Sequence, residues 1–361
     1  MTPMPSTSTP QTMAMDAIPH LATGSSQVPP AALPSKRRTG QALPAIGIFL
    51  LLCLVPFVSH MLGHTYYLDL VSRMMILGLA AIGLNIILGY GGMVSFGHAL
   101  YLGVGAYAVG ILSQYGVHSA LLQLVVAFAA GTVIAYGVGY ICLKVSGMAF
   151  IMITLAFAQM FYFLAISLKQ YGGDDGLQIA ARSHIPGIDI GDPYQFYVLV
   201  LAILALVAFL SHRLIRSRFG TVIRGCKQNT RRMYALGFCS RRYQLLAYVI
   251  SAQIVVLAGA LLANLALFAS PSYMSWTLSG DLILMCVLGG LGTLLGPLVG
   301  AAAFVGLEEF LSTMPIELPG SATELITTHW LGFFGVFIVL VVIFMRRGIY
   351  GIFTAKGGDH D

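Results

Sequence analysis

Charge is what this sequence has least of. Only 9% of its 361 residues are Asp, Glu, Lys or Arg, and 58% are hydrophobic. An average soluble domain carries about 25% charged residues, so water cannot be the main solvent for this surface. Cysteine is sparse too: Cys53, Cys142, Cys226, Cys239 and Cys286 are an odd number and contain no CxxC pair. They read as small buried hydrophobes or free thiols, not as a disulfide framework or a metal site. No GxxxxGK[ST] occurs, so the chain has no phosphate loop of its own. Gly103-Val-Gly105 lies inside an apolar run and is no dinucleotide fingerprint. HExxH and GxSxG are also absent, and the nine histidines are scattered. The sequence therefore predicts no catalytic residue, no metal ligand and no cofactor bound by this chain.

What it has instead is a succession of apolar runs after residue 42. Each approaches the ~20 residues needed to cross a hydrocarbon core of ~30 Å. The runs are continuously apolar, not alternating, which selects helices over a barrel. Ten spans are expected, at roughly 43–62, 69–88, 97–115, 119–142, 148–168, 194–212, 243–268, 276–290, 294–312 and 328–345. The eighth is short, and a re-entrant segment near residue 291 would change the number. The expected fold class is an all-α polytopic membrane protein of about ten transmembrane helices. Residues 1–42 are rich in Ser, Thr, Pro and Met without apolar periodicity, the pattern of a disordered cytoplasmic tail. No basic start leads into a short apolar stretch with a cleavage site, so the tail does not read as a cleaved signal peptide. Residues 43–352 form the membrane domain, and 353–361 a short cytoplasmic tail.

The few charges orient the bundle. With the N-terminus inside and the spans alternating, 16 of the 19 basic residues fall on the cytoplasmic side. Asp69, Asp174, Asp175, Asp189, Asp192, Glu317 and Glu324 fall on the other. The positive-inside rule therefore puts both termini in the cytoplasm. It also accounts for the net charge of +6 without nucleic acid.

Three stretches are candidates for function. LNIILGYGGMVSFGH (Leu84–His98) breaks an apolar run with clustered glycines. Irregular backbone survives at membrane depth only where it is buried in protein or lines a cavity. Asn85, Gly91, Gly92, Ser95 and His98 are thus candidates to line a pathway, and close helix packing is the alternative. LGGLGTLLGPLVG (Leu288–Gly300) is a second cluster in the other half of the chain, a hint of an internal repeat. Thirdly, the segment His212–Arg242 holds nine Arg or Lys and no acidic residue. A short helix from Val222 to Leu236, closed by Gly237 with positive φ, would offer Met233 and Leu236 to a partner on a basic background. Asp281 is a further pathway candidate. Acidic groups near lipid are costly, and it would pair with Arg73 or sit at a helix N-terminus, where the dipole favours it. Glu308 and Glu309 are expected at the interface or against a binding protein, and Asp174 and Asp175 in a turn or against the same protein.

Four blocks carry a family resemblance covering roughly residues 43–352. They are LGYGGMVSFGHALYLGVGAYAVGIL (Leu88–Leu112), MAFIMITLAFAQMFYFLA (Met148–Ala165) with the YGGDDGL that follows, RFGTVIRGCKQNTRRMYALGF (Arg218–Phe238) running on through RRYQLLAYVISAQIVVLAGAL, and SPSYMSWTLSGDLILMCVLGGLGTLLGPLVGA (Ser270–Ala301). The chain resembles the permease subunits of branched-chain amino acid ABC importers, the LivM type. The resemblance implies a type II-like importer permease architecture in the bacterial inner membrane. It implies four kinds of companion: a homologous LivH-type permease, two cytoplasmic ATPase subunits that use ATP and Mg, a periplasmic binding protein and the lipid bilayer. It also implies that a coupling loop, here 213–242, is gripped by the ATPase, with Arg224, Asn229, Arg231, Arg232, Ala235, Leu236 and Gly237 as the coupling residues. Related loops carry acidic residues where this one has Gln228 and Thr230, so a carboxylate contact there is not expected. The implied solutes are leucine, isoleucine and valine, with other amino acids, amides or urea as alternatives. Two other classes stay open: a secondary transporter working through Asp281, Glu308 and Glu309, and a membrane-embedded enzyme.

Overall fold

A computed structural model describes residues 42–62, 65–187, 190–313, 330–344 and 348–350. The expected tails, and with them Lys36, Arg37, Arg38 and Lys356, lie outside the described residues. So do Asp189, Glu317, Glu324, Arg346 and Arg347. A helix occupies each expected span. These are α1 (Ala42–Leu62), α2 (Tyr66–Asn85), α3 (His98–Gln114), α4 (Ala120–Cys142), α5 (Met148–Ser167) and α6 (Pro193–Arg216), then α9 (Ser240–Ala266), α10 (Trp276–Gly289), α11 (Gly296–Thr313) and α12 (Trp330–Phe344). The basic segment supplies two more, α7 (Arg218–Gln228) and α8 (Thr230–Ala235). Tyr66–Tyr90, α4, α5, α6 and α9 are long and apolar enough to cross a bilayer. α10 has 14 residues, about 21 Å of helix at ~1.5 Å per residue, so it stops short of a full crossing. The chain then turns through 290–295 and continues as α11, so residue 291 lies in a break between two helices.

Burial separates the centre of the bundle from its rim. The apolar window of α2 is 78% buried and that of α9 is 61%, against 28%, 22% and 28% for α4, α5 and α6. The rim helices turn Leu121, Val133, Phe163, Leu206 and Phe209 outward, side chains suited to hydrocarbon or to a partner helix. The centre is tight because small residues let backbones touch. A Cβ on Gly105 would lie 2.1 Å from the Val256 carbonyl oxygen, and one on Gly259 would lie 1.9 Å from that of Leu102. These two glycines lock α3 to α9.

One end of the bundle is closed by the 169–193 connection. Leu177–Gln178 pairs antiparallel with Phe268–Ala269. Asn264 of α9 accepts from the Ser183 backbone N–H at 2.8 Å, and Gln123 of α4 donates to the Val117 carbonyl at 2.8 Å. Asp174 and Asp175 sit exposed in the turn that follows two positive-φ glycines, Gly172 and Gly173. At the opposite end lie the α4–α5 turn, the start of α9 and the junction of α7 and α8, which share one cleft.

Two local expectations need correction. The basic segment is not one helix over Val222–Leu236. Asn229, at φ −158° and ψ 102°, ends α7 and starts α8. Its side-chain oxygen accepts from the Arg232 N–H at 3.0 Å, the bond that makes asparagine a favoured N-cap and a poor helix interior. Asp281 does not open α10 either. Ser275 is the N-cap, accepting from Leu278 N–H at 3.3 Å, which leaves Asp281 in the second turn. Its charged neighbour is Glu308, while Arg73 faces another cleft that Asp281 does not line.

Candidate coupling site

The α7–α8 segment has a small core of its own. Val222, Cys226 and Met233 are buried together against Tyr243. A Cβ on Gly225 would lie 2.6 Å from the Met233 sulfur, so α8 folds down on α7. Met233, expected to face a partner, is therefore spent on this packing. Gly237, at φ +85°, closes α8 as expected. Phe238 N–H donates to Met233 O at 3.1 Å and Gly237 N–H to Tyr234 O at 2.9 Å, the paired bonds of a Schellman cap. Arg231, Arg232, Ala235, Leu236 and Gly237 form an exposed run, with Tyr234 and Phe238 beside it. Arg224 turns back instead, donating to Gly220 O at 3.3 Å and Ile215 O at 3.2 Å. The outward surface is thus two arginines around an exposed leucine, without an acidic neighbour on the segment.

A cleft of about 680 Å³ separates the segment from the bundle. Gly91, Gly92, the Lys144–Met148 turn, Lys227, Tyr234 and Arg241 line it. Across it, Lys227 Nζ donates to the Gly89 carbonyl at 2.7 Å. Nothing in the sequence around Lys227 marks this contact, and its cause lies in α2. That helix runs on as a π-helical turn, Ile86–Tyr90. There Gly91 N–H donates to Leu88 O, as does Gly92 N–H at 3.2 Å, and Met93 N–H donates to Ile87 O at 2.9 Å. The terminal carbonyls of a helix lack intrahelical donors, and a cation there also meets the negative end of the dipole. Lys227 supplies both. Its alkyl stem lies on Gly92, where a Cβ would come within 2.8 Å of Cγ.

The same broken helix holds the other glycine cluster. Asn85 is 2% exposed, and its amide donates to the Thr293 carbonyl at 2.7 Å while its oxygen accepts from Gly292 N–H at 3.1 Å. Gly292 stands at φ +75°, and a Cβ on Gly89 would lie 2.6 Å from its nitrogen. The two glycine clusters, distant in sequence, are one joint. Its contacts run from α7 through Lys227 to Gly89, and from the α2 break to the α10–α11 turn.

His98 and Ser95 lie fully buried deeper in the bundle. His98 Nδ1 is 3.0 Å from Ser95 Oγ, and Nε2 is 3.0 Å from Ser251 Oγ. Ser251 gives its own proton to Gly83 O at 2.6 Å, so it accepts from Nε2–H, and Nδ1 accepts from Ser95. A neutral Nε2–H imidazole satisfies every bond. Tyr101 and Tyr248 enclose the ring edge-on at 5.5 and 5.3 Å. Of the pathway candidates, Gly91 and Gly92 line the α7–α8 cleft. Asn85, Ser95 and His98 are hydrogen-bonded inside the subunit, and Asp281 sits half-buried beside α11. The structure does not bring these six to one surface of this chain.

An apolar helix bundle with a basic two-helix segment at one end is a multi-pass membrane protein. The model of the family described as branched-chain amino acid transport system / permease component matches residues 66–345, and the chain belongs to that family. Among curated relatives, the high-affinity branched-chain amino acid transport system permease protein LivM of Escherichia coli is 23% identical over 267 residues, 67% of this chain and 63% of that protein. The permease protein BraD of Pseudomonas aeruginosa is 25% identical over 292 residues, 76% of this chain and 91% of BraD. LivH of Escherichia coli is 26% identical over 255 residues, covering 65% and 81%. The match thus spans less than two thirds of the length of the LivM relatives. No solved structure matches.

Proposed function

We propose that this chain is a permease subunit of an ATP-driven importer of amino acids, branched-chain ones first, in a bacterial inner membrane. The observation that carries the reading is the exposed α7–α8 surface joined through Lys227 to the broken end of α2. A cytoplasmic ATPase pair grips Arg231, Arg232, Ala235, Leu236 and Gly237. Its closure moves α7 and α8 as one body, because Met233 binds them to each other. Lys227 passes the displacement to α2, and the Asn85 joint passes it to α10 and α11. ATP binding then favours one arrangement of the helices over another, which is alternating access.

Both termini are cytoplasmic in this reading, and ATP and Mg belong to the ATPase subunits. The likeness to both LivM and LivH supports a second, homologous permease as the other half of the pathway. A periplasmic binding protein delivers the solute, and the likeness to branched-chain amino acid permeases supports leucine, isoleucine and valine. With Gln228 and Thr230 in place of acids, the ATPase groove is expected to carry the carboxylates itself.

Charge reversal tests the docking. Arg231→Glu together with Arg232→Glu should reduce ATPase copurification at least several-fold, because both arginines are exposed and the cap of α8 uses the backbone N–H of Arg232 and neither arginine side chain. Undiminished copurification would take the two arginines out of the interface.

A further inference from the structure

The cleft of about 680 Å³ between α7–α8 and the bundle gathers cations without an answering charge. Lys144, Lys227 and Arg241 line it, and no Asp or Glu does. Among the described residues the Lys144 and Arg241 side chains form no ion pair. Lys144 Nζ lies instead over the Tyr140 ring, 4.9 Å from its centroid. Lys227 donates to Gly89 O, and an ammonium has three donors. The start of α5 stands in the wall of the same cleft, where Met148 and Phe150 line it. Its N-cap, Gly147, makes no side-chain cap, and its first turn holds no acidic residue. The first N–H groups of a helix lack intrahelical partners and form the positive end of the dipole. The positive-inside bias accounts for cations on this side of the membrane. It does not account for three of them converging on one cavity with a bare helix start.

We propose that this cleft binds the phosphate of an anionic phospholipid from the leaflet on the α7–α8 side. Lys144, Arg241 and Lys227 meet the phosphate together with the α5 N-terminus, and the acyl chains run along the α4–α5 rim. Lys144 joins cleft to rim, because it lines the one and lies over Tyr140 of the other. Tyr136 and Tyr140 stack with ring centroids 6.3 Å apart, and both are exposed, as are Ile141, Met148 and Met152. Tyrosines near a helix end belong at the membrane–water interface, and basic pockets between helices at that level hold lipid headgroups. A free phosphate would use the cations and leave the apolar wall bare. A zwitterionic lipid would bring an ammonium toward three cations. The choice of the inner leaflet rests on the reading of α7–α8 as cytoplasmic; the binding itself does not.

The test reconstitutes the complete transporter in phosphatidylcholine vesicles doped with phosphatidylglycerol that carries a diazirine in one acyl chain. After illumination and digestion, peptide mass spectrometry should find lipid adducts between Tyr136 and Met152. Excess unlabelled phosphatidylglycerol should suppress them several-fold; extra phosphatidylcholine or millimolar inorganic phosphate should not. Lys144→Gln with Arg241→Gln should cut the adducts several-fold, and Lys144→Arg with Arg241→Lys should keep most of them. Arg213→Gln with Arg216→Gln removes the same charge from the exposed end of α6 and should leave them unchanged. The competition arms use the unsubstituted chain, so they stand even where a variant fails to fold. Absence of adducts in this stretch, adducts indifferent to the glutamine pair at Lys144 and Arg241, or equal loss in the α6 pair would overturn the site. Suppression by inorganic phosphate would overturn the lipid as its occupant. Sidedness is read separately. An impermeant maleimide that labels exposed Cys239 from outside intact cells would remove the importer reading and leave the lipid site standing in the outer leaflet.

Discussion

Lys227→Met is expected to reduce ATP-driven solute uptake several-fold while the ATPase subunits stay bound and continue to hydrolyse ATP. Methionine keeps an apolar stem over Gly92 and loses the ammonium that reaches Gly89 O at 2.7 Å. Lys227 does not belong to the exposed run on α8, so ATPase docking should survive. A hydrogen bond to a charged group contributes ~1.5–3 kcal/mol, and coupling between sites is typically ~1–3 kcal/mol, or about 5–150-fold. Lys227 is partly open to water, which screens the bond, so its loss removes a part of the coupling term. Lys227→Arg, which keeps charge and donor, should restore uptake in part. The measurement is the ratio of solute transported to ATP hydrolysed in reconstituted vesicles. A wild-type ratio in Lys227→Met would break the proposed relay at its first step.

Gly89→Ala should damage the joint itself. An added Cβ would lie 2.1 Å from Asn85 Oδ1 and 2.6 Å from Gly292 N. The second of these is backbone, so no rotamer change relieves it, and the α10–α11 turn must move away from α2. That displacement threatens both Asn85 bonds. Overpacking costs ~1–3 kcal/mol and an unsatisfied buried polar group ~1–3 kcal/mol more. The variant should show a lower midpoint in thermal unfolding in detergent, and reduced uptake. Gly137→Ala on α4 is the matched control: nothing lies within 4 Å of its Cβ position, and it should behave as wild type. Equal thermal stability in Gly89→Ala and Gly137→Ala would mean the glycine clusters are not packed as described.

The bundle was legible because lipid imposes one strong rule: a segment as apolar as 148–168 must satisfy its own backbone, and α5 occupies it. Gly237 was legible for a similar reason, since a glycine after a short helical run signals a positive-φ cap, and φ is +85°. The relay was not. Lys227 is one of nine basic residues in its segment, and nothing local marks it. Its role depends on a π-helical turn in α2 that frees a carbonyl 138 positions away. Asn85 stands out in the sequence as a pathway candidate beside clustered glycines, but its partners Gly292 and Thr293 come from the second glycine cluster, and short-range patterns cannot pair such distant segments. Met233 was misplaced because periodicity shows that a face is apolar, not whether its own neighbour or a partner protein covers it.

The central claim is that α7–α8 faces the energy-supplying subunits and carries their motion inward. Site-specific photo-crosslinking at Leu236, which is 64% exposed, tests it most directly in membranes containing the whole transporter. The expected product joins this chain to an ATPase subunit, and its yield changes when ATP is added. A crosslink to a protein on the outer face of the membrane, or a yield from the ATPase indifferent to nucleotide, would contradict the account.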